Sequence, residues 1–238
     1  MMKSMGNDKY TFVVEKKCPV CGETTRIVKT KSRIIVDHTD EDFCVHYQEF
    51  NPYYYRIWVC EHCGYAEDES HFLGYMPERN KAKLSEFLSS RHVGFEFHEE
   101  RSHADAVAAF KLAIFYAEYI GSSKAHRAGL NLGLAWLFRE SGEKEKETAF
   151  MQEAVKLYDE SLAEERYPIG GMTDNTVMYI IGAIYYRLGD MEHATQYLSR
   201  IMSDNDLRVN DRQTYDRARD LWQDIRASKE QEEKGTDQ

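Results

Sequence analysis

The chain has 238 residues, of which 30% are charged and 42% are hydrophobic, and its formal net charge is −10 at pH 7. This composition predicts a soluble protein that buries a core, and the length suits one large or two modest domains. The acidic balance argues against nucleic acid as the main partner, because phosphate binding needs a basic face. No apolar run suits a signal peptide or a membrane span, so we expect a cytoplasmic protein.

The charge is distributed unevenly along the chain. Residues 1–83 carry 12 Lys and Arg against 13 Asp and Glu, whereas the remainder carries 19 against 28. The N-terminal part is therefore nearly neutral and the C-terminal part is acidic. Neither part has the excess of basic residues that binding to phosphates requires.

Two Cys-x-x-Cys-Gly motifs dominate the N-terminal part: Cys18-Pro19-Val20-Cys21-Gly22 and Cys60-Glu61-His62-Cys63-Gly64. Zinc favours four thiolate ligands in a tetrahedron, and each motif can supply two sulfurs from one tight turn. The Gly after each pair suits a backbone turn with a positive φ angle. β-Branched and aromatic residues precede both motifs and predict strands that lead into them. The sequence therefore predicts a zinc ribbon with one structural zinc ion bound by Cys18, Cys21, Cys60 and Cys63.

The 38 residues between the two Cys pairs exceed the usual spacing of roughly 15–20 residues and indicate an insertion. Three alternatives compete with a zinc site: a thioredoxin-like redox pair, two disulfides, and ordinary buried thiols. The redox pair needs a crossover helix that the sequence does not predict after either motif, and disulfides need an oxidising compartment. His62 lies inside the second motif, but four sulfurs already complete the coordination of the ion.

The insertion supplies two further hypotheses about function. Residues 24–31 and 33–36 predict a β-like arm that could bind nucleic acid weakly through Lys29, Lys31 and Arg33. An acidic turn follows, and it could form an enzyme site from Asp37, Asp40, Asp42 and Cys44. The competing interpretations are structural, because acidic turns are common solvated loops and a free Cys often packs as a small hydrophobe.

Helical periodicity begins at Leu84, after a polar stretch at residues 77–83 that is expected to be a linker. Apolar residues then recur at steps of three and four, with breaks at Gly121, Gly142, residues 168–171 and Gly189. Residues 229–238 are highly charged and are expected to be disordered. The predicted organisation is a zinc ribbon-like domain at 1–83, a helical domain at 84–228 and a polar tail at 229–238.

The helical part has a repeat pattern similar to that of tetratricopeptide repeats. In its clearest copy a small residue, Gly182, lets two helices approach each other, Tyr185 fills the adjacent space, and Gly189 turns the chain. Weaker copies contain Ala135 and Gly94 at the position of Gly182. A generic helical bundle is the competing interpretation.

Stacked helix pairs of this kind have a concave surface, which is lined by the first helix of each pair. The pattern assigns eight residues to this surface: Arg91, Phe95, His98, Trp136, Arg139, Tyr179, Tyr186 and Arg187. Aromatic residues together with Arg are typical of protein-binding surfaces. Packing inside the protein is the competing interpretation for each aromatic side chain.

The sequence contains none of the common catalytic motifs considered below. The chain has no phosphate-binding Gly loop and no Gly-x-Ser-x-Gly motif, and His98 and His103 are five residues apart rather than four. A zinc ion with four sulfur ligands has no open position for water, so it stabilises a fold and does not catalyse. We therefore expect a non-catalytic zinc-binding adaptor whose helical-repeat surface holds a protein or peptide partner.

The combination of motifs resembles an uncharacterised bacterial family, domain-of-unknown-function family 2225. The resemblance extends over nearly the whole chain and is most specific around the second Cys motif. The residues that carry it are the first Cys motif, Asp42-Phe43-Cys44 with Tyr47, Asn51-Pro52-Tyr53-Tyr54-Tyr55, the segment from Trp58 to Ala66, Lys111-Leu112-Ala113, and Leu134-Ala135-Trp136-Leu137-Phe138-Arg139. The resemblance implies a cytosolic bacterial protein with a metal-bound N-terminal part and tetratricopeptide-like helices, and it implies no known reaction.

Overall fold

A computed structural model describes residues 9–89 and 100–236 of the chain, with side chains described as far as residue 229. Three residues predicted for the concave surface, Arg91, Phe95 and His98, lie outside the described residues. The architecture is α+β with the two kinds of structure segregated along the chain, as the sequence predicts: short strand pairs come first and helices follow. Within the described ranges, no helix is both long enough and apolar enough to cross a membrane.

Six short strands in the described N-terminal part form three two-stranded sheets. The first sheet pairs β1 (Thr11–Lys17) with β2 (Thr24–Thr30) in antiparallel register. The second pairs β3 (Val36–Thr39) with β4 (Val45–Tyr47), and the third pairs β5 (Ile57–Val59) antiparallel with β6 (Ala66–Asp68). The β-like arm predicted at residues 33–36 is a strand only from Val36, because pairing with a neighbour rather than side-chain propensity decides where a strand begins.

A short 3-10 turn, Pro52–Tyr55, precedes β5, and the helices follow β6 in chain order. They are α1 (Glu69–Leu73), α2 (Glu78–Ser89), α3 (His103–Ile120), α4 (Lys124–Glu140), α5 (Lys144–Glu164), α6 (Asp174–Arg187), α7 (Met191–Ser203), α8 (Leu207–Asn210) and α9 (Arg212–Thr236). The predicted breaks are confirmed, since α3, α4 and α6 each end just before Gly121, Gly142 or Gly189. All three Gly residues have positive φ angles, at which a side chain would strain the backbone.

Two expectations at the ends of the helical part differ from the structure. Residues 77–83, expected to be a linker, are helical from Glu78, because they form the polar first turns of a helix whose apolar side is supplied by the buried Leu84 and Leu88. At the other end α9 continues to Thr236, into the segment expected to be disordered. A highly charged sequence is compatible with a solvent-exposed helix that extends beyond its apolar part.

The described residues form two compact units. The first comprises those within Met1–His38, Val45–Ser122 and Gly129–Phe150, and the second comprises Thr39–Cys44, Ser123–Ala128 and those within Met151–Gln238. The division shows that α3 belongs to the same compact unit as the Cys motifs. A separate helical domain that starts at residue 84 stays a prediction, because independent folding of the two parts is not tested by their packing.

The core of the first unit lies between α3 and the strands around the Cys motifs. Its largest fully buried side chains include Tyr65, Phe72, Phe110 and Tyr116. The rings of Tyr65 and Phe72 are 5.7 Å apart, and those of Tyr65 and Tyr116 are 5.9 Å apart. Large aromatic rings fill a small core efficiently, so this cluster provides much of the apolar contact that three short sheets cannot provide by themselves.

Arg101, which is only 7% exposed, ties the start of α3 to the segment before the second Cys motif. Its Nη1 atom donates hydrogen bonds to the backbone carbonyls of Ile57 at 2.6 Å and Tyr54 at 3.2 Å. Its backbone N–H donates to the Tyr55 hydroxyl at 3.2 Å. Burial lowers the pKa of Arg101 to about 10, so the guanidinium stays charged at neutral pH. A charged side chain therefore anchors the start of α3 to the backbone carbonyls of Tyr54 and Ile57.

The second unit packs α6, α7 and α9 around Tyr179, Leu198 and Leu221. Gly182 of α6 faces α7 so closely that an added Cβ atom would lie 3.1 Å from the Leu198 side chain. The predicted role of Gly182 in the approach of two helices is therefore confirmed. Stacking of the helix pairs as a tetratricopeptide-like repeat stays a prediction.

Replacement of Arg101 by Met should lower the free energy of unfolding by about 3 kcal/mol, because the Tyr54 and Ile57 carbonyls would lose a charged donor. Urea denaturation followed by circular dichroism measures the change. Arg79→Met is the matched control, since Arg79 is exposed on α2, and it should change stability by less than about 0.5 kcal/mol. Equal stability of the two variants would contradict the anchoring role.

Candidate metal centre

The first Cys motif forms the turn of the β1–β2 hairpin. The last pair of the ladder is Lys17 with Thr24, and the motif occupies the residues between them. The Cys18 N–H donates to the Glu23 carbonyl at 2.9 Å, and the Gly22 N–H donates back to the Cys18 carbonyl at 3.0 Å. Gly22 has a φ angle of 79°, which allows the backbone to return into β2 without steric strain.

The second Cys motif repeats the same hydrogen bonds in the β5–β6 hairpin. Val59 and Ala66 form the last pair of this ladder. The Cys60 N–H donates to the Tyr65 carbonyl at 2.8 Å, and the Gly64 N–H donates to the Cys60 carbonyl at 2.8 Å. Gly64 has a φ angle of 76°. The two motifs are therefore equivalent turns on antiparallel hairpins, as the sequence predicts.

The four predicted ligands, Cys18, Cys21, Cys60 and Cys63, come together in one cluster. All four sulfur atoms lie within 4.8 Å of one another. The Cys18–Cys63 and Cys21–Cys60 sulfur pairs, each of which joins the two motifs, are both separated by 3.7 Å. Metal–sulfur bonds of about 2.3 Å in a regular tetrahedron place the sulfurs about 3.8 Å apart. The cluster therefore has the dimensions of a tetrahedral site for one metal ion.

The thiols influence one another within the cluster. Hydrogen bonds from Cys18 and Cys63 lower the pKa of Cys60. The hydrogen bond with Cys60 raises the pKa of Cys18 to about 12, because this thiol donates its proton. Metal ions bind thiolates, so occupation of the cluster must release the remaining protons. The affinity for metal should consequently fall as the pH falls.

Polar contacts fix the second turn against β2. The Glu61 N–H donates to the Thr25 hydroxyl at 3.1 Å, and the Glu61 carboxylate accepts from the Arg26 N–H at 3.1 Å. His62 hydrogen-bonds through Nε2 to the Thr24 carbonyl at 2.9 Å. His62 therefore takes part in the contact between the hairpins, and the four sulfurs form the cluster without it.

Helix α3 contacts the second Cys turn through the side chain of Tyr116. This side chain is 2% exposed, and its hydroxyl donates to the Gly64 carbonyl at 3.2 Å. The hydrogen bond connects the turn that holds Cys60 and Cys63 to the middle of a helix more than 50 residues later. Sequence reasoning missed this residue, because its only signal is an aromatic position within an apolar helical stripe.

The residues predicted for an enzyme site in the insertion have structural contacts. Asp37 accepts a contact from His38 Nδ1 at 2.7 Å, and Asp40 pairs with Arg187 at 3.4 Å. Asp42 and Cys44 are buried, at 1% and 3% exposure. The Cys44 backbone N–H donates to the Asp42 carboxylate at 3.3 Å. The buried position of Cys44 fits the interpretation that it packs as a small hydrophobe.

Among the arm residues predicted for nucleic-acid binding, Lys29 is paired within the chain, and the role of the arm in binding nucleic acid stays a prediction. The Lys29 ammonium lies 2.6 Å from the Glu69 carboxylate and 5.4 Å from the centre of the Trp58 ring. Lys31 and Arg33 are exposed. Lys29 is therefore neutralised by a carboxylate on α1.

Residues 39–44 of the insertion belong to the second unit, where they contact α6 and α9. The Tyr179 hydroxyl donates to the Glu41 carbonyl at 2.9 Å, and the Phe43 ring lies 5.3 Å from the Tyr179 ring. The Arg217 guanidinium lies 4.9 Å from the centre of the Phe43 ring. Burial raises the pKa of Tyr179 to about 12. The insertion therefore supplies a loop that packs on helices of the C-terminal part.

The described residues of the predicted concave surface mostly contact their own chain. Trp136 lies 5.3 Å from the Tyr53 ring, and Arg139 pairs with Glu147 at 2.7 Å. Tyr179 is 2% exposed and Arg187 pairs with Asp40, whereas Tyr186 is half-buried. Their role in partner binding stays a prediction, and it has to account for these intramolecular contacts.

Cys21→Ser should remove most of the bound metal, because it leaves three sulfurs for an ion that favours four. Cys44→Ser is the matched control: it also replaces a Cys, but one that is not part of the cluster. Plasma mass spectrometry of the purified protein should find one metal ion per chain in wild type and in Cys44→Ser. Equal metal content in Cys21→Ser and Cys44→Ser would contradict the assignment of the site.

Phe43→Ala should lower the free energy of unfolding by about 2 kcal/mol, because the loop at 39–44 loses its ring contact with Tyr179. The double variant Phe43→Ala/Arg217→Ala should lose less stability than the sum of the two single losses. Each single variant already loses the cation–π contact, which contributes roughly 0.5–1 kcal/mol. A double-mutant cycle measured by urea denaturation tests this coupling. Phe12→Ala combined with Arg217→Ala is the control pair, because Phe12 is 43% exposed on β1. Full additivity of Phe43→Ala and Arg217→Ala would contradict the contact.

Comparisons with known proteins identify a family and nothing more specific. Neither a search of curated proteins nor a search of solved structures found a match. A family model described as an uncharacterized protein conserved in bacteria (DUF2225) matches residues 12–225, which include the four clustered cysteines and all helices as far as α9. The resemblance seen in the sequence is thereby confirmed, and the chain belongs to this bacterial family.

Proposed function

We propose that the protein is a non-catalytic zinc-binding adaptor that presents a helical-repeat surface to a protein partner in the bacterial cytoplasm. The observation that carries the proposal is the cluster of four sulfurs from two equivalent turns, with sulfur pairs 3.7 Å apart. Its dimensions suit a metal ion held entirely by the protein. Such a site stabilises a fold and leaves no coordination position for a substrate or water.

Zinc is the ion that this donor set favours. Four thiolates are soft ligands, and a tetrahedral arrangement of four sulfurs is typical of structural zinc. A bound zinc ion would join the β1–β2 and β5–β6 hairpins, whose strands are only seven and three residues long. The reduced thiols that zinc requires are stable in the cytoplasm, which supports the proposed location.

The helical part offers a groove for the partner on α3. A cleft of about 540 Å³ is lined by Ala104, Val107 and Leu112 of α3 together with Phe138 of α4. Lys111 is exposed at its edge, and no carboxylate among the described residues pairs with it. Lys146 also lines the edge, where it pairs with Glu143 and lies 5.2 Å from the centre of the Phe138 ring. We name this feature the α3 groove.

The chemistry of the α3 groove indicates the kind of partner. Its apolar floor suits an aliphatic or aromatic side chain, and the Lys111 ammonium suits an adjacent Asp or Glu. The partner we propose is therefore a protein segment that presents an apolar residue next to an acidic one.

Val107→Glu should abolish capture of the partner, because it places a carboxylate on the apolar floor of the α3 groove. The measurement is chemical crosslinking in bacterial lysate, followed by mass spectrometry of the peptide crosslinked near Lys111. Val209→Glu is the matched control, since Val209 is 81% exposed on α8. Wild type and Val209→Glu should capture the same segment, with an apolar residue beside Asp or Glu, while Val107→Glu and Lys111→Glu should not.

Two results would contradict the adaptor. One is a captured segment that persists in Val107→Glu and Lys111→Glu, which would place the contact elsewhere. The other is a wild-type protein that carries zinc and captures no segment under conditions in which α3 is folded. Zinc content is measured on each variant, so that loss of the fold is distinguished from loss of the partner.

A further inference from the structure

A second cleft, of about 450 Å³, lies in the first unit between β2, the 3-10 turn, β5 and the start of α1. It shares no lining residue with the sulfur cluster or with the α3 groove. Aromatic side chains from the 3-10 turn and Trp58 of β5 line it together with Lys29, Arg56 and Glu69. We name it the Arg56 cleft after the arginine that lines it.

The acidic residues of the Arg56 cleft are already engaged. The Glu69 carboxylate pairs with Lys29 at 2.6 Å. Asp68 accepts hydrogen bonds from the Ser70 hydroxyl at 2.6 Å and from the His71 N–H at 3.0 Å. Burial raises the pKa of Asp68, but the hydrogen bonds from His71 and Ser70 outweigh it and hold this pKa below its ordinary value. Both carboxylates therefore already have partners within the chain.

Arg56 is the one cation lining the cleft that has no such compensation among the described residues. Its guanidinium lies between two rings, 5.9 Å from the centre of Phe110 and 5.8 Å from that of Trp136. Within residues 9–89 and 100–229, no carboxylate or carbonyl accepts a hydrogen bond from this guanidinium, and the Arg56 backbone N–H donates to the Tyr53 carbonyl at 3.2 Å. Arg56 is half-buried. The described residues contact this guanidinium through aromatic rings and use none of its hydrogen-bond donors, so these donors are the groups that a ligand in the cleft would engage.

The helix beside Arg56 contains a glycine that makes room for it. A Cβ atom at Gly133 of α4 would lie 3.0 Å from Arg56 Nη1 and 2.7 Å from the Phe110 ring. Glycine in the interior of a helix costs about 1 kcal/mol relative to alanine. Any larger residue would displace the guanidinium or the ring, so the packing of α4 preserves the position of Arg56.

We propose that the Arg56 cleft binds the carboxylate of a monoanionic ligand, with the guanidinium of Arg56 as its main partner. A guanidinium and a carboxylate can form two parallel hydrogen bonds. A monoanion is favoured over a dianion such as phosphate, because two acidic side chains, Asp68 and Glu69, also line the cleft and disfavour additional negative charge. The surrounding aromatic residues suit an apolar group next to the carboxylate. The proposal stands independently of partner binding at the α3 groove.

A carboxylate of this kind has two sources, a small organic acid or the C-terminus of a peptide. Isothermal titration of the zinc-loaded full chain with four probes separates them: benzoate, N-acetyl-alanyl-leucine, the C-terminal amide of the same dipeptide, and inorganic phosphate. Binding of benzoate or of the dipeptide acid, with no binding of the amide, supports the proposal. The tighter of the two acids assigns the source. Binding of the amide as tight as that of the acid, or phosphate tighter than both acids, overturns it.

Arg56→Lys tests the guanidinium, since it keeps the positive charge and removes the planar pair of donors. Binding of the preferred acid should weaken at least about tenfold. Arg79→Lys, at an exposed position on α2, is the matched control and should leave binding unchanged. Zinc content and the melting temperature of each variant show whether the fold is retained. Should Arg56→Lys not fold, Gly133→Ala provides a second test, because its Cβ atom intrudes on Arg56; unchanged binding in a folded variant of either kind refutes the proposal.

Discussion

The convergence of four cysteine sulfurs within 4.8 Å is the constraint on which the N-terminal part of the protein depends. Two-stranded hairpins are marginal by themselves in water, and each hairpin here contributes few ladder hydrogen bonds. A metal ion bound by both turns would join them with a free energy that is large compared with the stability of such hairpins. Tyr116 and Arg101 extend this link to α3, so that the turn geometry, the aromatic core and the helix support one another.

The ligands of the candidate site could be predicted from the sequence because the signal is local. Cys18 and Cys21, or Cys60 and Cys63, lie three residues apart with Gly directly after, and this short pattern already determines the geometry of the turn. Tyr116 and Arg101 could not be found in this way, since their roles arise from contacts with distant segments that leave no spacing pattern. Sequence reasoning thus recovers the four clustered sulfurs and misses the side chains that hold their turns in place.

The helical part shows the same division between local and distant information. Positive φ angles at Gly121, Gly142 and Gly189 are demanded by the ends of helices, so the turns were predictable at those residues. Residues 78–83 were misread as a linker, because the first turns of an amphipathic helix are polar when most of their surface faces solvent. The exposure of individual side chains could not be predicted either. An aromatic residue such as Tyr179 on a helix fits both a partner-binding surface and packing inside the protein. Its contact with Phe43 shows that the chain itself covers it.

The 38 residues between the two cysteine pairs separate the two halves of the cluster in time while the protein is synthesised. The β1–β2 hairpin emerges from the ribosome first, carrying half of a coordination sphere that can neither hold an ion tightly nor stabilise itself. Closure has to wait until Cys63 has emerged, and Tyr116 follows only after a further stretch of translation. During that interval the thiols of Cys18 and Cys21 lack their two partners in the cluster, so the chain is more exposed to oxidation and to binding of other metals while it is made than after it has folded.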